Sequence, residues 1–190
     1  YMEGLRGGTN PVISNGQPGL TTNFLLKEGS DITEGVFKYS TSDYDLQRVD
    51  AMVSGAISDG LYYMVGGYVS SSPGIRDAGF NSEKGHQFTI NITKELDNGK
   101  MNFYTRVTDD HGVWYLPTPL VDGVDNQYTQ IGTLNRQASI QYGPNGSSTQ
   151  AFDFGNGRGW DGSVSGGKIQ LEFADGWQFS DRFKFTKGDA

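Results

Sequence analysis

Residues 87–99 of this 190-residue chain read QFTINITKELDNG, and this stretch predicts the fold. Phe88, Ile90 and Ile92 alternate with polar residues, which places them on one face of a β-strand. The closing DNG is typical of a tight hairpin turn, because Asn and Gly adopt the backbone angles that such turns need. Residues 100–108 repeat the alternation, so the stretch predicts a β-hairpin with one apolar and one polar face.

The same pattern recurs on both sides of this hairpin. Asp59-Gly60 and Asp175-Gly176 each join two alternating stretches. The connections between hairpins are longer, and the longest is expected to cover about residues 109–166. The chain therefore predicts an all-β, antiparallel up-and-down meander of about seven strands, with tight turns at one end and long loops at the other. This asymmetry is typical of transmembrane β-barrels.

The composition bears on the class of protein. The 28 glycines and 10 tyrosines favour strands and turns. The net charge of -7, without a basic cluster along the sequence, argues against nucleic acid as a partner. The chain has no cysteine for a disulfide or a thiolate metal site. Because no run of about eighteen apolar residues occurs, the sequence predicts no membrane-spanning helix.

Few residues form a pattern typical of catalysis or metal binding. His86 and His111 are far apart and have no partner at metal-ligand spacing. Asp109 and Asp110 precede His111 and could meet a cation, but solvated loop acids are the simpler interpretation. The sequence contains no nucleophile elbow and no phosphate-binding loop. We therefore expect no enzyme, no metal site and no cofactor.

Residues 1–31 differ in kind from the meander. They contain the Gly-rich LRGG at 5–8, the turn cluster NGQPG at 15–19 and a short predicted strand over 20–27. This segment resembles the carboxy-terminal end of the plug domain of TonB-dependent outer-membrane receptors. The motif residues that match are Arg6, Gly7, Gly8, Gly19 and Asn23. RVD at 48–50, SDGLYY at 58–63 and GIRD at 74–77 are similar to the start of the barrel in that family.

The resemblance implies two parts: the end of a plug domain at 1–31, and the amino-terminal part of an outer-membrane barrel at 32–190. It implies a fragment, a partial transmembrane barrel, because such receptors close about twenty-two strands around a plug. The implied location is the outer membrane of a Gram-negative cell, in contact with lipid. The implied function is energised uptake of a scarce nutrient such as a ferric siderophore, cobalamin or a glycan. The TonB complex would be contacted through an amino-terminal part outside this chain.

The resemblance also selects candidate ligand-facing residues. Receptors of this type bind a small nutrient between the plug and the extracellular loops, where aromatic rings stack and polar groups orient the ligand. The candidates in the corresponding loops are Arg76, Asp77, Trp114, Tyr115, Arg158 and Trp160.

Two alternatives stay open. A soluble β-sandwich with one wet face gives the same alternation, and it would act as a carbohydrate-binding module through exposed Trp and Tyr. Asp181, on the apolar face, favours that interpretation. A passive porin is the other alternative, and the plug-like residues 1–31 count against it. Several strands are expected to run for about nine to eleven residues, which is enough to cross a bilayer and favours the barrel.

Overall fold

The structure is a computed structural model that describes residues 2–6, 20–75, 80–113, 137–153 and 157–189. Within these ranges the chain forms strands and two short 3₁₀ turns, so the expected all-β fold is confirmed. The strands are β1 (Met2–Arg6), β2 (Leu20–Phe24), β3 (Glu34–Thr41), β4 (Gln47–Ser58), β5 (Leu61–Ser72), β6 (Glu83–Leu96), β7 (Gly99–Gly112), β8 (Gln137–Tyr142), β9 (Ser148–Asp153), β10 (Arg158–Glu172) and β11 (Gln178–Asp189). The described residues include no helix long and apolar enough to cross a membrane.

Seven strands form one main sheet in the order β3-β4-β5-β6-β7-β10-β11. Every neighbouring pair is antiparallel, so the predicted meander is confirmed. The sheet is open rather than closed into a barrel, and β3 and β11 are its edge strands. Two further hairpins, β1–β2 and β8–β9, form separate two-stranded sheets.

The main sheet has a turn edge and a loop edge. At the turn edge, short reversals at residues 59–60, 97–98 and 173–177 join consecutive strands. Gly60 and Gly176 have φ values of 62° and 78°, which lie in the region that favours glycine. At the loop edge the connections cover residues 42–46, 73–82 and 113–157, and the last one contains β8 and β9. The connection at 42–46 is no longer than the reversal at 173–177, so the predicted alternation of short and long connections is confirmed for the two middle hairpins and the two long loops that follow them.

The expected loop boundary at 109–166 is wrong at both ends. β7 continues to Gly112, and β10 already begins at Arg158, so these two residues pair with each other. Glycine has a low strand propensity, which made the first half of β10 look irregular in sequence. Inside the connection between β7 and β10 the chain forms β8 and β9, and the strand expected over 20–27 ends at Phe24.

Neighbouring aromatic rings explain how glycines fit inside β10. A Cβ on Gly166 would lie 2.8 Å from the Tyr104 hydroxyl oxygen, and a Cβ on Gly167 would lie 2.7 Å from Cε1 of Phe183. Tyr104 therefore covers Gly166 on one face of the sheet, and Phe183 covers Gly167 on the other. This aromatic cover replaces the side chains that the strand lacks.

The two faces of the main sheet differ in burial. On the apolar face, Phe37, Phe103 and Phe185 keep 75%, 50% and 64% of their surface exposed. On the polar face, Asn91 and Thr93 are only 1% exposed. Burial is therefore reversed relative to a soluble sandwich, whose apolar side chains fill the space between two sheets.

Charged residues within the apolar band include Asp181, as the sequence predicts, and Lys94; others such as Lys187 lie nearer the loop edge. Asp181 is paired with Ile169 in the ladder between β10 and β11. Lys94 is paired with Met101, and its ammonium group donates a hydrogen bond to the Asp59 carbonyl oxygen at 3.2 Å. The lysine therefore bends toward the turn edge, which keeps its charge away from the middle of the face.

Residues 25–33 cross the polar face near the turn edge, and we call this segment the strap. Asn91 Nδ2 donates to the Lys27 carbonyl oxygen at 2.8 Å. Asn102 Nδ2 donates to the side-chain oxygens of both Asn91 and Thr93. Two ion pairs fasten the strap as well: Lys27 with Glu34, and Glu28 with Lys100. The strap accounts for the buried polar side chains at this end of the face.

Gly29 is the closest point between the strap and the sheet. A Cβ on Gly29 would lie 2.5 Å from the Tyr63 carbonyl oxygen and 2.6 Å from the Gly55 carbonyl oxygen. Backbone atoms cannot move aside as a flexible side chain can, so only glycine fits here.

Candidate functional site

A cavity of about 640 Å³ opens at the loop edge of the polar face, and we call it the loop-edge cavity. Five neighbouring strands contribute to its lining. The polar and aromatic residues that define it are Arg48, Ser70, Glu83, Asp110, Arg158 and Trp160. They meet because the ladder places them within three successive rows of paired residues, on the same face. The volume lies within the range of about 300–1,000 Å³ that is typical of small-molecule pockets.

A chain of polar contacts fixes the floor of this cavity. The Arg48 guanidinium donates to both carboxylate oxygens of Asp50, with Nη2–Oδ1 at 2.7 Å and Nε–Oδ2 at 3.0 Å. The same guanidinium lies over the Tyr68 ring, 3.8 Å from its centroid. The Tyr68 hydroxyl donates to Asp110 Oδ2 at 3.2 Å. The bidentate ion pair and the cation–π contact hold Arg48 in one orientation.

Gly85 makes the contact between Tyr68 and Asp110 possible. The two residues lie on β5 and β7, so the hydrogen bond must pass over the intervening strand β6. Gly85 is paired with Asp110, and a Cβ at this position would collide with the Asp110 carboxylate. The missing side chain leaves the space that the carboxylate occupies.

Trp160 is positioned by two more glycines. Gly162 and Gly188 pair across β10 and β11, and their Cβ positions would lie 2.7 Å and 2.8 Å from Cζ2 of Trp160. The indole therefore rests on backbone, in a slot that any larger residue would fill. An indole fixed in this way offers a stacking surface beside hydrogen-bonding groups, which is the combination that small-molecule sites use.

Two of the sequence-predicted ligand-facing residues, Arg158 and Trp160, meet in the loop-edge cavity. The other four, Arg76, Asp77, Trp114 and Tyr115, lie outside the described residues. Of the plug-motif residues, Arg6 and Asn23 lie on the paired strands β1 and β2. Gly7, Gly8 and Gly19 lie outside the described residues.

Arg48, Tyr68 and Asp110 are site residues that the sequence analysis did not select. Each lies at a polar-face position of a strand, but only the register shows that they meet. Asp110 belongs to the acidic pair considered for a cation. Strand alternation places Asp109 and His111 on the opposite face, where Asp109 Oδ1 and His111 Nε2 are 2.6 Å apart. Within the described ranges, no group of three or more residues could hold a metal ion.

Comparison with known proteins gives no match: no family model, no curated protein and no solved structure matches this chain. The function must therefore be argued from the sequence pattern and the geometry.

Proposed function

We propose that this chain is part of a TonB-dependent outer-membrane receptor and that its main sheet is a segment of the receptor's transmembrane β-barrel. The observation that carries the proposal is the reversed burial of the two faces. Polar side chains are buried by the strap, whereas a continuous apolar face that includes Phe37, Phe103 and Phe185 is exposed. Exposed apolar surface on this scale marks a protein or membrane interface. A bilayer core is the environment that suits a whole face of a sheet.

Strand length supports the membrane interpretation. β6 and β7 have 14 residues each, and β10 has 15. Ordinary strands have about five to six residues, and a tilted strand needs about nine to eleven to cross the hydrocarbon core. The tight turns at one edge and the long connections at the other match the periplasmic and extracellular sides of such barrels.

The loop-edge boundary of the apolar band is level on β3–β5 and on β6–β7, and it shifts toward the turn edge between β5 and β6 and again beyond β7. On β5 the band begins at Val69, whose row partner on β6 is the polar His86. On β6 it begins at Phe88, two rows nearer the turn edge. The residue of β11 that lies in the same row as Phe88 is Lys187. On β11 the band therefore begins at Phe185, which is two rows nearer the turn edge than Lys187. Barrel strands are tilted, so a level lipid boundary cuts successive strands at different rows.

The strap and the loop-edge cavity agree with the same orientation. The strap leads into β3, and it lies on the polar face, which is the face that would line the barrel lumen. A chain that leaves a plug inside the barrel must approach its first strand from that side. The loop-edge cavity would then open toward the extracellular side, where a ferric siderophore, cobalamin or a glycan is captured.

A soluble carbohydrate-binding module is the second candidate. The observation in its favour is the pairing of Trp160 with Asp110 and Arg48 in one cavity, because a sugar ring stacks on an indole while its hydroxyls bond to charged groups. A sandwich also needs a second sheet over its apolar face. The part of the chain that the structure describes supplies no such layer, and Phe103 stays half exposed.

Thiol labelling of the full-length protein in outer membranes tests the proposal. These 190 residues contain no cysteine, so Phe103→Cys and Thr108→Cys each introduce one thiol on opposite faces of β7. We expect the thiol of Phe103→Cys to react with a lipid-soluble maleimide and to be shielded from a membrane-impermeant one. The thiol of Thr108→Cys should react with the water-soluble reagent. Equal labelling of both thiols from water, or recovery of the protein in the soluble fraction, would contradict the membrane interpretation.

A further inference from the structure

Four basic side chains share one area of the polar face, and we call this area the basic patch. It consists of Arg106 on β7, Lys168 on β10, and Arg182 and Lys184 on β11. Lys168 and Arg182 are direct partners across the ladder, and Arg106 lies four rows nearer the loop edge. With strands about 4.8 Å apart and a rise of about 3.3 Å per residue, all four Cα atoms lie within roughly 16 Å of one another. Long side chains can therefore converge on one bound group.

No acidic strand residue lies within two rows of the patch on the described polar face. The other polar-face positions within that distance on β7, β10 and β11 are Lys100, Asn102, Tyr104, Thr108, Gly162, Val164, Gly166, Gln170, Ser180, Thr186 and Gly188. Asp110 and Glu172 lie two rows further out, and the strap residue Glu28 pairs with Lys100 at the border. The patch is thus purely basic in a chain whose net charge is -7. Such a local reversal of charge attracts anions to one place on the molecule.

Within the described ranges, the four cations also form no ion pair. Three other basic residues on or beside the polar face have carboxylate partners: Lys27 with Glu34, Arg48 with Asp50, and Lys100 with Glu28. Among the described residues, none of the four patch cations has an ion-pair partner, and the enclosed Nε of Arg106 has no hydrogen-bond partner. Lys168 and Arg182 repel each other because like charges stand directly opposite. A bound anion would relieve this repulsion.

Tyr104 adds a neutral hydrogen-bond donor to the patch. Its hydroxyl lies over Gly166, and Gly166 is itself paired with Lys184. The hydroxyl therefore lies over β10, between the strands that carry Arg106 and Lys184.

We propose that the basic patch binds a small multivalent anion, a solute that carries several carboxylate or phosphate groups. This inference rests on the proposed function in one respect: the polar face lines a path that a solute can enter. The patch extends in two dimensions, because its cations lie on three strands and within five successive rows. A compact solute can meet all four charges at once, whereas an extended acidic segment would place its carboxylates along a line. The nutrient taken up would then be anionic.

Calorimetric titration of the full-length protein in detergent tests this proposal, with citrate and pyrophosphate as probes at low ionic strength. In the double variant Lys168→Gln/Arg182→Gln we expect the affinity for the bound probe to fall by about tenfold or more, because two charge-assisted contacts are lost. Lys187→Gln is the matched control, since Lys187 lies on the same strand but on the opposite face. Its affinity should equal that of the wild type. Added salt should weaken binding in the wild type.

Each outcome of the titration bears on the proposal. Tighter binding of citrate supports a carboxylate solute, and tighter binding of pyrophosphate supports a phosphate solute. The proposal is overturned if neither probe binds, if Lys187→Gln loses as much affinity as the double variant, or if only an oligoglutamate peptide binds. Labelling of Phe103→Cys in the same double variant reports membrane location separately. Lost anion binding with unchanged labelling is therefore distinguishable from failure of the proposed function.

Discussion

The polar and apolar faces of the main sheet are stabilised in different ways. The polar face is stabilised from within the chain, because the strap supplies hydrogen bonds, ion pairs and close backbone contact at the turn edge. The apolar face has no such cover among the described residues and presents phenylalanine and valine to its surroundings. The polarity of a face therefore does not determine whether its side chains are buried. Burial depends on whether another segment covers the face.

A lysine in the middle of the apolar face should have the largest effect. We expect Phe103→Lys to lower the free energy of unfolding in a bilayer by about 2–4 kcal/mol, because a charge near the midplane must leave water. Thr108→Lys, on the polar face of the same strand, should change it much less. Urea unfolding of the full-length protein in lipid vesicles measures both. Equal losses in the two variants would remove the distinction between the faces.

A methyl group at the closest point of the strap should have the next largest effect. We expect Gly29→Ala to cost about 1–3 kcal/mol, because its Cβ would overlap backbone carbonyl oxygens that cannot rotate away. Gly35→Ala is the matched control, since a Cβ on Gly35 would lie 3.6 Å from the Met52 carbonyl oxygen, which is an ordinary van der Waals contact. Urea unfolding and protease cleavage within the strap report the change. A loss in Gly35→Ala as large as that in Gly29→Ala would contradict the tight fit.

Removal of the buried amide under the strap should have a smaller effect. We expect Asn91→Ala to cost about 1–2 kcal/mol, because the Lys27 carbonyl oxygen loses its donor and Asn102 loses one of its acceptors. Gln87→Ala, on the same face of β6 but beyond the strap, should cost less. Hydrogen exchange of the strap amides would show whether the loss is local. Unchanged protection in Asn91→Ala would argue against its anchoring role.

The ion pair between Glu28 and Lys100 should have the smallest effect. The side chains of Glu28 and Lys100 are 40% and 39% exposed, so solvent screens the attraction between them. A double-mutant cycle with Glu28→Gln and Lys100→Gln should give a coupling of about 0.2–1 kcal/mol that falls as salt is added. A coupling that is large and independent of salt would mean that the pair is buried in the intact protein.

The sequence predicts the strand-rich parts of the fold and misses the parts without periodicity. Alternation and tight-turn residues identify the hairpins, because each signal lies within about ten residues. The glycine-rich part of β10 is not predicted, because Gly166 and Gly167 are covered by aromatic rings from β7 and β11, which are distant in sequence. The strap is not predicted either, for a similar reason. Its contacts with Asn91 and Lys100 join positions more than sixty residues apart, with separations of 64 and 72.

The candidate site is predictable only in part. Arg158 and Trp160 are identified because they follow the long connection at an edge where ligands are expected. Arg48, Tyr68 and Asp110 are not, because their meeting depends on the register of four strands and on the empty position at Gly85. Membership of the receptor family and location in the outer membrane stay predictions. The exposed apolar face is the structural feature that supports them.

The consecutive glycines of β10 allow the two sides of the sheet to be altered one at a time. A methyl group at Gly166 would displace the phenol of Tyr104, and one at Gly167 would displace the ring of Phe183. Substitutions at these two neighbouring positions therefore act on opposite faces of the sheet. Under the proposed function, alanine at Gly166 should change solute affinity and leave membrane insertion intact, and alanine at Gly167 should do the reverse.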